Sequence, residues 1–123
     1  MSVAGTLRLA LPLVALVAAQ PAQALELPIT GVYADAAGCA YLAGDTDQEV
    51  FLILRPDSVE QLDALCPIAE VDREGETITA IHAACHEGSD NWVASYLFAP
   101  AEGDGYVLTP FDTNTGRTLR PCD

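Results

Sequence analysis

Short apolar stretches alternate with turn-forming residues along this chain, and that alternation constrains the fold more than any other feature. Turn signals rich in Gly, Asp, Asn and Glu recur at spacings of roughly 10 to 15 residues, and no heptad or long helical period interrupts them. This cadence is typical of antiparallel strands joined by tight turns. The sequence therefore predicts an all-β fold, a small antiparallel meander closed as a barrel or packed as a sandwich.

Seven apolar segments are predicted to be strands. They cover residues 29–33, 49–55, 66–72, 77–86, 92–99, 106–111 and 117–122. The segment 49–55 carries the strongest strand signal, because it is rich in bulky apolar residues and bounded by Asp47 and Pro56. The segment 57–62 fits either a short strand or a capped helical turn, and 36–44 fits either a loop or one helical turn. In the turn at 112–116, Gly116 is expected to take a positive φ.

The N-terminal segment has the parts of a secretory signal peptide. Residues 1–8 carry one cation, Arg8, and residues 9–19 are apolar throughout. As a helix that run would span only about 16 Å, which is about half of a bilayer core. Ala22 and Ala24 supply the small residues that signal peptidase accepts. We expect a signal peptide at 1–24 and one small β domain at 25–123, with a short membrane anchor as the alternative and no membrane span in the mature form.

Acidic side chains far outnumber basic ones. The chain has 18 Asp and Glu against 5 basic residues, all of them arginine, and its formal net charge is −13. Loss of Arg8 with the signal peptide would change the charge from −13 to −14. Nucleic acid and anionic lipid attract basic patches, so the charge argues against both as partners. A basic protein is the partner that this surface would attract, although the same charge also serves solubility.

Four cysteines follow the predicted cleavage site, at Cys39, Cys66, Cys85 and Cys122. An even number of cysteines in a small exported domain predicts two disulfides, because the compartments beyond the inner membrane are oxidising. Three pairings are possible, and we favour Cys66–Cys85 and Cys39–Cys122. The first would join strands separated by one turn, and the second would tie the N-terminal part of the domain to its C-terminal end. Free thiols or a metal site are the alternatives.

The segment around His82 and His86 resembles a metal site at first sight. On the predicted strand 77–86 their Cα atoms would lie about 13 Å apart, too far to share one ion. A c-type haem site ending at Cys85-His86 would need a cysteine where this chain has His82. The acidic loops at 45–49 and 112–116 are interpreted as solvated turns. We predict no metal-ligating residue and no cofactor.

The chain offers no strong signal for catalysis, and we predict no catalytic residue. The serines after the predicted cleavage site are Ser58, Ser89 and Ser95, and none lies in a Gly-x-Ser-x-Gly elbow. Cysteines held in disulfides cannot act as nucleophiles. A pair of carboxylates for acid–base chemistry stays open, because some pair among 18 acidic residues will lie close by chance.

Trp92 and Tyr96 fall on the same face of the predicted strand 92–99, beside a turn that contains Asp90. The two aromatic side chains fit two interpretations. They could pack in the core, or together with Asp90 they could form an exposed recognition surface.

An ordered set of short motifs, spanning residues 31–122, is similar to small exported four-cysteine β-domains of unknown function from alphaproteobacteria. The motifs are Gly31-Val32-Tyr33, Cys39, the apolar segment 50–54 with Pro56-Asp57-Ser58-Val59, Cys66-Pro67-Ile68, Cys85-His86-Glu87-Gly88, Gly105-Tyr106-Val107-Leu108 and Arg120-Pro121-Cys122. More distantly, the chain resembles periplasmic lysozyme-inhibitor barrels, but it contains no lysine and no matching inhibitory loop. The resemblance implies a disulfide-linked β-domain in the periplasm or outside the cell, and it implies no particular activity.

These observations favour a non-catalytic periplasmic or secreted protein, a binding or inhibitor-like module for a basic partner. Two alternatives remain, a small hydrolase that uses paired carboxylates and a structural envelope protein.

Overall fold

A computed structural model describes residues 25–62 and 64–122, so the predicted signal peptide lies outside the described residues. One short helix and eight strands follow one another in the chain order β1 Tyr33–Ala34, α1 Ala36–Leu42, β2 Ile53–Arg55, β3 Ser58–Gln61, β4 Ala64–Glu74, β5 Thr77–Glu87, β6 Asp90–Pro100, β7 Tyr106–Pro110 and β8 Arg117–Pro121. Between residues 25 and 122, Asp63 aside, no helix has the length and apolar character needed to cross a membrane.

The strands form a closed antiparallel barrel in which each strand pairs with the next one along the chain. The last strand returns to the first, with Tyr33 opposite Pro121 and Ala34 opposite Arg120. The predicted all-β meander is confirmed, and the barrel is the form that it takes. In a closed meander every strand has two neighbours, although a strand need not be paired along its whole length.

Strands β4, β5 and β6 are each 11 residues long and dominate the barrel, whereas the other strands have two to five residues. Glycines at the two tight turns explain why these strands join directly. Gly75 and Gly88 both have a positive φ, of 65° and 63°, which a side chain would disfavour. The long hairpins therefore extend beyond the short strands, and this difference in length leaves part of the barrel wall uncovered.

The predicted strand at 49–55 is shorter than expected, because only Ile53–Arg55 pairs as β2. Just before it, the chain bonds to residue 35 instead of to a strand. The Leu52 N–H donates to Oδ1 of Asp35 at 3.3 Å, and the Leu52 carbonyl accepts from the Asp35 N–H at 3.2 Å. The apolar character of 51–54 reflects burial on both faces, with Leu52 and Leu54 in the main core and Phe51 and Ile53 in a second cluster.

The segment predicted as a strand at 29–33 also pairs over fewer residues, since β1 comprises only Tyr33–Ala34. Ahead of it, Leu27 and Ile29 are buried in the main core without belonging to a strand. The backbone anchors this irregular segment, because the Leu25 N–H donates to the carbonyl of Ile68 and the Leu27 N–H to that of Pro56.

The barrel interior is filled by aliphatic side chains. The largest of the fully buried side chains are Leu54, Val59, Cys66, Ile68, Ile81, Leu108 and Leu119 in the main core and Ile53 in the second cluster. Each fully buried Val, Leu or Ile side chain contributes about 1.5–3 kcal/mol relative to exposure. The barrel is therefore a packed core, and any ligand would bind at its surface or its mouth.

Helix α1 lies outside the barrel, and the segment 36–44, which fits either a loop or one helical turn by sequence, contains a helix of seven residues. Its N-cap is Asp35, whose Oδ1 accepts from the Gly38 N–H at 2.7 Å. A Cβ at Gly38 would meet the Leu52 carbonyl oxygen at 2.7 Å, so only glycine allows this close approach. Tyr41 stacks on Phe51 with ring centroids 4.4 Å apart, which seals the second cluster.

Both favoured disulfides are present, Cys39–Cys122 and Cys66–Cys85. The first ties α1 to the end of β8, next to the seam where β1 and β8 share only two residue pairs. The second joins β4 to β5 inside the core. Two disulfides indicate an oxidising, extracytoplasmic compartment.

The expectation of a positive φ at Gly116 is wrong, because Gly116 is absent from the left-handed glycines of the described residues. Its lack of a side chain serves packing instead. A Cβ there would meet Val107 Cγ1 at 2.7 Å and Thr109 Oγ1 at 2.9 Å.

Candidate functional site

A cleft of about 700 Å³ opens at one mouth of the barrel. One wall is the N-terminal half of β6, and the opposite walls are the segment that leads into β2 and the loop that joins β7 to β8. Exposed apolar side chains line it, among them Val50, Trp92, Val93 and Phe111. The cleft is larger than a second depression of about 430 Å³, and its lining combines apolar side chains with polar ones such as Gln61 and Ser95, as in a binding site.

The cleft exists because the chain leaves β6 just after Pro110, where β7 ends. The backbone of Pro110 faces β8, where its missing N–H limits pairing, and the β7–β8 ladder begins only with Leu108 opposite Arg117. The Thr113 N–H then donates to the Pro110 carbonyl at 3.1 Å and turns the chain away. The last bond between this segment and β6 runs from the Phe111 N–H to the Ser95 carbonyl, at 3.0 Å.

The edge of β6 beyond Ser95 is open. Strand β5 pairs with β6 from Leu97 back to Asp90, whereas β7 pairs with it only from Pro100 to Tyr96. Among the described residues, no strand covers the cleft side of Asp90–Ala94. Strand edges of this kind expose backbone donors and acceptors that another chain can bind.

The two predicted recognition aromatics both line the cleft, at different depths. Trp92 and Tyr96 lie on one face of β6, since they pair with Cys85 and Ile81 of the same side of β5. Trp92 is 40% exposed and stands at the rim. Tyr96 is 4% exposed and belongs to the main core. Trp92 therefore offers contact area to a ligand, and Tyr96 forms part of the floor.

Burial raises the pKa of the Tyr96 phenol above its ordinary value of 10.0, an effect that Arg117 partly opposes and Asp112 reinforces. The Tyr96 hydroxyl accepts a long bond from Nε2 of Gln61, at 3.4 Å. Gln61 also lies 4.0 Å from both sulfurs of the Cys66–Cys85 disulfide. The floor of the cleft is thus an uncharged polar contact above a buried disulfide.

The charge of the cleft is negative at its rim. Asp112 is the only carboxylate among the described residues that line it, and Arg117 is the only cation. Arg117 is neutralised by Asp35, whose Oδ2 accepts from Nη1 at 2.8 Å. Asp90, the third residue of the predicted recognition surface, is exposed at the start of β6 and lies outside the lining.

A chain of hydrogen bonds that the sequence did not reveal crosses the neighbouring outer face. His82 lies between Ser95 and Asp72, with Nδ1 2.7 Å from Ser95 Oγ and Nε2 3.1 Å from Asp72 Oδ2. A carboxylate only accepts, so Nε2 donates to Asp72 and Nδ1 accepts from the Ser95 hydroxyl. Phe111 packs edge-on against the imidazole, with ring centroids 5.6 Å apart.

These hydrogen bonds depend on the pairing register of strands β4, β5 and β6, which a single sequence does not reveal. His82 pairs with Ser95 across β5 and β6, while Asp72 is displaced diagonally on β4. Asp72 lies two residues beyond Glu70, the residue that pairs with His82, so strand alternation places its side chain on the same face as the histidine.

His82 and His86 both lie on strand β5, as the sequence predicted. Along residues 25–62 and 64–122, no three His, Cys, Asp or Glu side chains converge in a way that could hold a metal ion.

Comparisons of this chain with protein-family models, with curated proteins and with solved structures found no match.

Proposed function

We propose that this protein is a non-catalytic periplasmic or secreted binding module that captures a basic protein in the cleft beside β6. The observation that carries the proposal is an open cleft with exposed apolar side chains at its rim, on a strongly acidic chain. Apolar side chains at the rim supply contact area, and the surrounding carboxylates select a cationic partner. An inhibitor-like role, in which the partner is held by its basic surface, is one form of this function.

The distribution of charge supports a basic partner. Most of the arginines are already engaged within the fold, with Arg55 bound to Glu60 and Arg117 to Asp35. Arg120 donates to the carbonyls of Glu102 and Asp104, each at 3.0 Å. The exposed acidic groups therefore remain largely uncompensated, and a net charge of −13 extends an attractive potential toward cationic surfaces.

Binding of a lysozyme, used as a basic probe protein, tests this proposal by calorimetry. We expect the affinity to fall by about tenfold or more between about 10 mM and about 150 mM salt, because the charges become screened. Trp92→Ala should weaken binding further, whereas Leu65→Ala, which removes an exposed leucine outside the cleft, should not. Salt-independent binding, or equal effects of the two substitutions, would contradict the proposal.

A second candidate function, a serine hydrolase, is favoured by the bonded chain from Ser95 through His82 to Asp72. In that reaction the Ser95 oxygen attacks a carbonyl carbon, its proton passes to His82 Nδ1, and the Asp72 carboxylate stabilises the imidazolium. The imidazolium then gives this proton to the leaving group as its bond to the carbonyl carbon breaks, and water releases the acyl group from Ser95. The paired-carboxylate alternative has less support, since the lining residues include Asp112 alone among acids.

A fluorophosphonate probe separates this second candidate from the first. A hydrolase would be labelled at Ser95, and both Ser95→Ala and His82→Asn would abolish the labelling. We expect the native protein to stay unlabelled, as a binding module would, and stoichiometric labelling at Ser95 would overturn the non-catalytic proposal.

A further inference from the structure

We propose that the open edge of β6, residues Asp90–Ala94, binds an extended segment of the basic partner as an added antiparallel or parallel strand. This inference rests on the proposed function and deepens it by naming the form in which the partner enters the cleft. Strand addition to an exposed sheet edge obtains affinity from main-chain hydrogen bonds and specificity from alternate side chains.

The direction of the backbone groups follows from one bond. The Ser95 carbonyl accepts from the Phe111 N–H, so the backbone groups of Ser95 face the cleft side of β6. Successive residues of a strand direct their backbone groups to opposite edges. The N–H and C=O groups of Asn91 and Val93 therefore also face the cleft, while those of Trp92 and Ala94 face β5.

The space beside this edge accommodates a strand. Six residues from Asp90 to Ser95 extend over about 17 Å. The cleft of about 700 Å³ lies along this edge, because β6 residues 92–96 form one of its walls. Trp92, 40% exposed, and Val93, 66% exposed, stand on opposite faces of β6, so an incoming strand would find an apolar neighbour above and below it.

Charge decides between a foreign segment and a second copy of this chain. Two copies paired edge to edge would bring together two chains of net charge −13, with Asp90 of each close to the shared seam. A segment that alternates basic and apolar residues meets attraction instead, from Asp90 at one end and Asp112 across the cleft. The occupant we assign is such a segment of the basic partner.

The probe for this inference is a capped eight-residue peptide that alternates arginine and valine. Its matched control carries N-methyl groups on all of its backbone amides, which keeps the charge and side chains and removes the donors of both strand edges. We expect the parent peptide to bind and the N-methylated peptide to bind at least about tenfold more weakly. Hydrogen exchange at the Asn91 and Val93 amides should slow by at least about tenfold when the parent binds.

Two substitutions at one position test the same edge from the protein side. Val93→Pro removes the N–H that faces the cleft, where proline is tolerated because β5 does not use it. Val93→Ala keeps that N–H and removes only side-chain contact. We expect Val93→Pro to weaken peptide binding by about tenfold or more and Val93→Ala by about threefold or less.

Several outcomes would overturn strand addition. They are equal binding of the two peptides, unchanged exchange at Asn91 and Val93 in the complex, or a native dimer in which these amides are already protected. The N-methylated control uses the unaltered protein, so it decides the question even if Val93→Pro fails to fold. Lysozyme binding that depends on Trp92 but not on the Val93 N–H would leave the proposed function standing and exclude strand addition alone.

Discussion

Asp35 holds together more of this molecule than any other single polar residue described. Its carboxylate caps helix α1 through Gly38, accepts from the Leu52 N–H and pairs with Arg117 across the fold. These contacts join the helix, the segment before β2 and the start of β8. The same residue also neutralises the one cation among the described residues that line the cleft, so it links stability to the charge of the cleft.

Asp35→Ala should lower the free energy of unfolding by about 2 kcal/mol, because the helix loses its N-cap and Arg117 loses its partner. Asp47→Ala is the matched control, since it removes the same charge from an exposed loop, and it should cost at most about 0.5 kcal/mol. Urea denaturation measures both values. Equal losses in the two variants would show that Asp35 does not act as the structure indicates.

At the scale of elements, the pattern of apolar residues and turn residues predicted the long strands. It failed where apolar residues are buried without belonging to a strand. Strands β5 and β6 were predicted nearly to their ends, because turn residues delimit them. The segment 49–52 reads as strand because it is apolar, yet its backbone bonds to Asp35 and its side chains divide between two clusters. A single sequence records apolarity and leaves the bonding partner open.

The candidate site was predictable only in part for the same reason. Side chains alternate between the two faces of a strand, so the sequence predicts that Trp92 and Tyr96 share one face. Their different depths depend on where β7 stops pairing with β6, which a single sequence does not reveal. The contact of His82 with Ser95 and Asp72 depends on register across three strands, and no local motif encodes it.

At the scale of the whole molecule, electrostatic repulsion between acidic side chains opposes closure of the barrel. A chain of net charge −13 repels itself, and the seam between β1 and β8 is only two pairs wide. The Cys39–Cys122 bond spans a sequence separation of 83 residues beside that seam. In the chain-entropy description a loop of this length contributes about 4.6 kcal/mol, against about 3.3 kcal/mol for the shorter Cys66–Cys85 loop. The disulfides thus allow a small barrel to retain a strongly acidic surface.

The central claim is that a basic partner binds in the cleft beside the open edge of β6. Amide and indole NMR signals of the isotope-labelled protein, followed while unlabelled lysozyme is added at low salt, test it most directly. The account predicts that the largest changes fall on the Trp92 indole and on the amides of Asn91, Val93 and Phe111. Absence of any change, or changes confined to acidic turns away from the cleft such as 74–76 and 102–104, would contradict it.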